Sequence, residues 1–143
     1  MKDGDNITTF PDLGPELTRK IIEAGIAVHK YFGPGLLESI YEECLALELA
    51  DRGLSFKKQH VMPVTYNGHV LENAYRLDLW VEDKVVVEIK AADKILPIHE
   101  AQILTYMRLS RSPLGLLMNF NEKLLKDGIK RYALTEFEKG KEC

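Results

Sequence analysis

Apolar residues recur at helical spacing over the first third of the chain and at alternate positions through its middle. Leu17, Ile21, Val28 and Phe32 form one stripe, with Gly25 filling a turn on it, so a helix is predicted from about Pro15 to Phe32. Gly33-Pro34-Gly35 breaks it. A second helix is predicted over Leu36 to Arg52, with Ile40, Leu45, Leu47 and Leu49 among its apolar positions and Gly53 as its stop. Phe56 to Tyr66 then reads as a strand, although Pro63 calls for an edge position or a bulge. Asn67-Gly68 is a strong hairpin turn. A second strand runs from near Val70 to Val81, and a third from Val85 to Ala91. Pro97 opens a helix at its first turn that runs to about Ser110, and Ser112-Pro113 ends that segment. The short apolar run Gly115 to Phe120 reads as a buried strand, so the helix before it makes a parallel crossover. Ile129 to Leu134 gives the last strand. The predicted order is ααβββαββ, an α/β (α+β) arrangement in one domain over residues 1–143, with loosely ordered tails at 1–14 and 136–143.

The second and third strands carry the most distinctive chemistry. They read Tyr75-Arg76-Leu77-Asp78-Leu79-Trp80-Val81 and Val85-Val86-Val87-Glu88-Ile89-Lys90. The link Glu82-Asp83-Lys84 is short and polar, so the two should form a hairpin. A three-residue loop pairs Val81 with Val85, and therefore sets Asp78 opposite Glu88. Strand alternation adds Lys90 to the face of Glu88. It sends Leu77, Leu79, Val81, Val85, Val87 and Ile89 to the other face, the expected core side. Opposite Cβ atoms sit roughly 5 Å apart. Two carboxylates at that spacing can hold a divalent cation such as Mg²⁺ or Mn²⁺ through oxygen, leaving room for water and phosphate. A cation so placed activates water and offsets phosphodiester charge, and a neighbouring ammonium adds to that. These are the parts required for hydrolysis of a nucleic-acid backbone.

Composition constrains the rest. A chain of 143 residues, 45% hydrophobic and 29% charged, fits an ordinary globular protein with a substantial core. No apolar run would span a bilayer, and Met1 to Asn6 do not resemble a signal peptide, so the cytoplasm is the expected compartment. Cys44 and Cys143 are too far apart in sequence to suggest a disulfide framework or a cysteine metal site. The net charge of −3 provides no global attraction to nucleic acid. The basic groups Arg19-Lys20, Lys57-Lys58, Lys123/Lys126 and Lys130-Arg131 are either solvated surface or local phosphate contacts.

Two further elements could complete a site. Glu38 lies near the start of the second helix, and Gln102 and Tyr106 share a face of the crossover helix. With these in place, Asp78…Glu88-x-Lys90 followed by Gln102-x-x-x-Tyr106 resembles the PD-(D/E)XK nuclease superfamily. The Gln-x-x-x-Tyr helix resembles its branch of recombination and repair exonucleases. Gly35-Leu36-Leu37-Glu38-Ser39-Ile40-Tyr41 resembles the signature of the GxxExxY group within it. The likeness runs from about Ile21 to Leu134. It departs at Leu77, which stands where the superfamily has its nominal proline. The resemblance implies a restriction-endonuclease-like mixed sheet flanked by helices. It also implies a site of Glu38, Asp78, Glu88 and Lys90, with Asp78, Glu88 and Glu38 as metal ligands and Gln102, Tyr106 and Tyr41 in support.

Several residues have a plainer reading beside the functional one. Glu38 also suits a helix N-terminus, where the dipole favours a carboxylate. Gln102 and Tyr106 also fit as a buried amide and a core aromatic. Arg76, on the face of Asp78, can contact phosphate or pair with a carboxylate. His99 in the first turn of the crossover helix fits a capping role better than a ligand role. Trp80 either covers the end of the site or packs beneath a neighbour. Tyr41, three residues from Glu38, packs against or orients that carboxylate. At the level of function, a metal-dependent nuclease competes with a non-catalytic nuclease-fold binding or scaffold protein, and a homo-oligomer or a partner subunit that supplies substrate binding remains open.

Overall fold

The computed structural model describes residues 14–134. Its elements are α1 (Gly14–Phe32), α2 (Glu38–Asp51), β1 (Phe56–Tyr66), β2 (His69–Val81), β3 (Val85–Lys90), α3 (Pro97–Ser110), β4 (Leu114–Asn119) and β5 (Ile129–Ala133). The order is the predicted one, with a 3₁₀ turn at Leu125–Gly128 added before β5. The tail at 136–143, with Cys143, lies outside the described residues, as does the first tail up to residue 13. Among the described residues no helix is long and apolar enough to cross a membrane.

The strands form one mixed sheet in the order β1-β2-β3-β4-β5. Only β3 and β4 are parallel, as the crossover through α3 requires, and the other neighbours are antiparallel. The two parallel strands are central and almost wholly buried, which matches their unbroken apolar sequence. Pro63 sits on the edge strand, where the register with β2 shifts between Met62 and Val64. Edge and bulge thus both apply. Asn67 and Gly68 have φ of 51° and 78°, the primed turn that matches strand twist.

Helices cover both faces. α1 and α2 contribute Ile21, Ala24, Val28, Tyr41, Leu45 and Leu49 to a core with Leu79, Val81, Val85, Val87, Ile89, Leu116 and Met118. Gly25 lets α1 press onto the sheet, since an added Cβ would run into Met118. On the opposite face α3 packs Ile103 and Met107 against Tyr75, Leu77, Val86 and Leu117.

Three expectations need correction. Leu77 does not share a face with Leu79: it packs with α3, whereas Leu79 packs with α1 and α2. The regular alternation of β2 therefore lapses at Asp78. Next, α2 begins at Glu38, two residues later than expected, because Gly35 takes a φ of +115° and Leu37 remains extended. Finally, Phe32, Ile40 and Leu47 fit the apolar pattern but are exposed. Phe32 and Ile40 flank the connection between the helices, and Leu47 lies on the outer face of α2.

Candidate active site

The β2–β3 ladder runs Val81↔Val85, Trp80↔Val86, Leu79↔Val87 and then stops. At the next position Asp78 faces Glu88, and their side chains replace the missing backbone bonds. The Asp78 N–H donates to Glu88 Oε2 at 3.2 Å, and the Ile89 N–H donates to Asp78 Oδ2 at 2.9 Å. Each carboxylate thus takes an N–H from the opposite strand, which fixes both heads where the strands part. Lys90 ends β3 two residues beyond Glu88. Asp78, Glu88 and Lys90 line one open cleft of about 590 Å³ with Arg76, Asn73, Tyr75, Val61, Gln102 and Tyr106.

Burial and mutual repulsion dominate the electrostatics. Glu88 is only 4% exposed. Desolvation, then the Asp78 charge, push its carboxyl from 4.5 up to about 8, against the Asp78 N–H and Lys90. Burial also raises the Asp78 carboxyl, with Glu38 adding to the effect, while the Ile89 N–H and Lys90 oppose it. Two desolvated carboxylates that disfavour joint ionisation form a natural donor pair for a hard divalent cation, whose charge would lift that penalty. As they stand, no three acidic, imidazole or thiolate groups among the described residues form a ready metal cage.

The remaining predicted residues take distinct places. Glu38 is exposed, accepts the Ala91 N–H just beyond β3 at 3.1 Å, and lies close enough for its charge to act on Asp78. Tyr41 is fully buried and stacks on Phe120 with ring centroids 4.6 Å apart. Its hydroxyl donates to the Gly33 carbonyl at 2.5 Å and accepts the Leu36 N–H at 3.1 Å. Tyr41 therefore secures the connection that delivers Glu38. Gln102 and Tyr106 line the cleft wall, where Tyr106 stacks on Tyr75 at 4.9 Å. Burial and the Glu88 charge raise the Tyr106 hydroxyl. Arg76 also lines this cleft, and no salt bridge to it occurs among the described residues. His99 caps α3, its Nδ1 accepting the Leu96 N–H at 3.0 Å. Trp80 packs away from the cleft, with its indole N–H donating to Ser112 Oγ at 2.9 Å.

Several of the basic groups are surface partners of acids. Arg19 pairs with Glu16 and Glu23, Lys57 with Asp83, Lys58 with Glu43 and Lys130 with Glu100. Sequence reasoning missed three residues that shape the site. Glu42, one turn after Glu38, carries a carboxyl raised by burial and by Asp78, and its i+4 spacing was a usable signal. Gln59 contacts both Glu42 and Asp78; no local pattern marks it. Asn119, buried at the end of β4, bonds both backbone groups of Ala92 and so holds the chain leaving Lys90.

No curated protein matches the chain. Among solved structures, the crystal structure of SSO0001 is similar at 25% identity and a TM-score of 0.48, covering 87% of this chain; the chain spans 63% of that structure's length. A family profile described as the PD-(D/E)XK nuclease superfamily matches residues 15–132. That span contains every cleft residue described above and the whole sheet but the last residue of β5, and the chain belongs to the PD-(D/E)XK nuclease superfamily.

Proposed function

We propose that this protein hydrolyses phosphodiester bonds in nucleic acid, with Mg²⁺ or Mn²⁺ as its cofactor. The observation that carries the reading is the reciprocal pair Asp78–Glu88 at the end of the β2–β3 ladder, with Lys90 in the same cleft. Asp78 and Glu88 would hold the cation, and Glu38 would complete its acidic surroundings from α2. When bound, the cation supplies an activated water and charge compensation on the phosphate. Lys90 places an ammonium beside the reacting phosphate or the attacking water, where it favours charge that develops in the transition state. Arg76 offers a cation to a phosphate of the same strand. Gln102 and Tyr106 form the wall across which the substrate lies.

The finer assignment to the GxxExxY group belongs to the same proposal. Each of its named positions has a physical task here. Gly35 accepts a positive φ, Glu38 ties α2 to the end of β3, and Tyr41 locks the intervening turn. We expect this domain to act in the cytoplasm, alone or with a second subunit.

Purified protein assayed on single- and double-stranded DNA and RNA with Mg²⁺ or Mn²⁺ tests the reading. Cation-dependent cleavage lost in Asp78→Ala supports it. Cation binding and nucleic-acid binding without turnover on any of these substrates would instead favour a non-catalytic nuclease-fold binding protein.

A further inference from the structure

Gln59 occupies an unusual position. Its φ is +50°, a left-handed conformation that is uncommon for residues other than glycine and asparagine. Other residues of this kind have local reasons. Asn67, Glu82 and Asp83 lie in turns, Arg111 ends α3, and Asn73 belongs to the residue type that tolerates the region. Gln59 lies inside β1, where the ladder to β2 includes Lys58↔Leu79 and His60↔Leu77 but omits Gln59 opposite Asp78. The strain accompanies a specific contact. The Gln59 amide nitrogen donates to both carboxylate oxygens of Glu42, at 2.7 and 2.9 Å, and reaches to 3.5 Å from Asp78 Oδ1. The other Asp78 oxygen is already held by the Ile89 N–H.

We propose that Gln59 is a positioning residue that sets the orientation of the Asp78 carboxylate for cation binding, with Glu42 holding the amide in the donating sense. This rests on the cation site proposed above. Asp78 Oδ2 is fixed by β3, and Oδ1 is aimed from β1. A carboxylate fixed at Oδ2 and approached by an amide donor at Oδ1 presents its free lone pairs in one direction. Glu42 has an orienting task because a carboxylate can only accept, so it turns the NH₂ end of the amide inward. Without that bridge, Asp78 Oδ1 would lose the donor that approaches it from β1. Strained backbone retained at such a contact is the pattern of a residue kept for its side chain rather than for stability.

The consequence is a separation of stability from function that a packing role does not give. Gln59→Gly removes the amide and suits the left-handed backbone. Gln59→Ala removes the amide and leaves the backbone strained. Mn²⁺ affinity measured by titration calorimetry, with melting temperature of the cation-free protein, reads both effects. The expected result is about tenfold weaker Mn²⁺ binding in both variants, the magnitude typical of losing an outer-shell partner. Gln59→Gly should melt at or above wild type, and Gln59→Ala below Gln59→Gly. Unchanged Mn²⁺ affinity in Gln59→Gly, beside a wild type that binds, would overturn the positioning role alone. A fall in both affinity and melting temperature in Gln59→Gly would make Gln59 a structural residue. A wild type that binds no Mn²⁺ would overturn the cation site, and this role with it.

Discussion

Replacing Glu88 with glutamine should stabilise the cation-free protein, and increasingly so as pH rises. Glu88 is buried, faces the Asp78 charge and has its carboxyl pushed from 4.5 to about 8. Burial favours the protonated form. The folded protein therefore retains a proton that the unfolded chain releases near pH 4.5. Its contribution is fully present below that pH and is lost as pH climbs through about 8. At 1.36 kcal/mol per pH unit, the penalty reaches about 3 kcal/mol at pH 7 and approaches about 5 kcal/mol above pH 9. Glutamine avoids ionisation and keeps an oxygen for the Asp78 N–H. Urea denaturation of both proteins at pH 5, 7 and 9 in a chelator measures the difference directly. Glu88→Gln should be close to wild type at pH 5 and well above it at pH 9. Saturating Mn²⁺ should close or reverse the gap, because only wild type gains the bound cation. Equal pH profiles for the two proteins in chelator would refute the claim that Glu88 is held under ionisation stress.

Other outcomes follow from the same geometry. Mg²⁺ or Mn²⁺ at about a hundred times its Kd should stabilise wild type by about 2.7 kcal/mol, and differential melting curves should show no such gain in Asp78→Ala. Lys90→Ala should lower turnover about a hundredfold or more while preserving melting temperature and cation affinity, since Lys90 ends a strand and is no ligand; full activity in this variant would refute its role. Tyr41→Phe should cost about 1–3 kcal/mol in urea unfolding, because the Leu36 N–H and Gly33 carbonyl lose the hydroxyl that joins them.

Much of the fold was legible because its signals are local. Asn67-Gly68 and the three-residue Glu82-Asp83-Lys84 link set two hairpin registers. Pro97 marked the start of α3, and Val85 to Ala91 with Gly115 to Phe120 read as buried strands, close to the observed β3 and β4. Facing carboxylates at Asp78 and Glu88 followed from the Val81↔Val85 register. What could not be read was non-local. Whether Tyr41 bonds Glu38 or the preceding loop depends on where Phe120 and Gly33 lie in space. The amphipathic pattern also misplaced Ile40 and Leu47, since an apolar side chain on a helix need not find the core. Gln59 was invisible because its meaning comes from β1 lying beside α2 next to Asp78, whereas Glu42 carried a usable signal in its i+4 spacing from Glu38.

The error at Leu77 explains how this sheet makes a site. A regular strand places residues two apart on one face, so Leu77 and Leu79 should have joined one core. They join opposite cores because the ladders to β1 and β3 both lapse at Asp78. The lapse leaves backbone groups without ladder partners in a covered sheet, a costly arrangement unless side chains take them. Glu88 takes the Asp78 N–H, and Asp78 takes the Ile89 N–H. The same residues thus repair the sheet and gather negative charge at its opening. A sheet in perfect register would have spaced the two carboxylates as an ordinary cross-strand pair, free to turn toward solvent. Here each is tied to the opposite backbone, so neither can relieve the repulsion by moving away. Relief comes from a proton on Glu88, which makes the cation-free site sensitive to pH, and the proposed cation would compete with that proton.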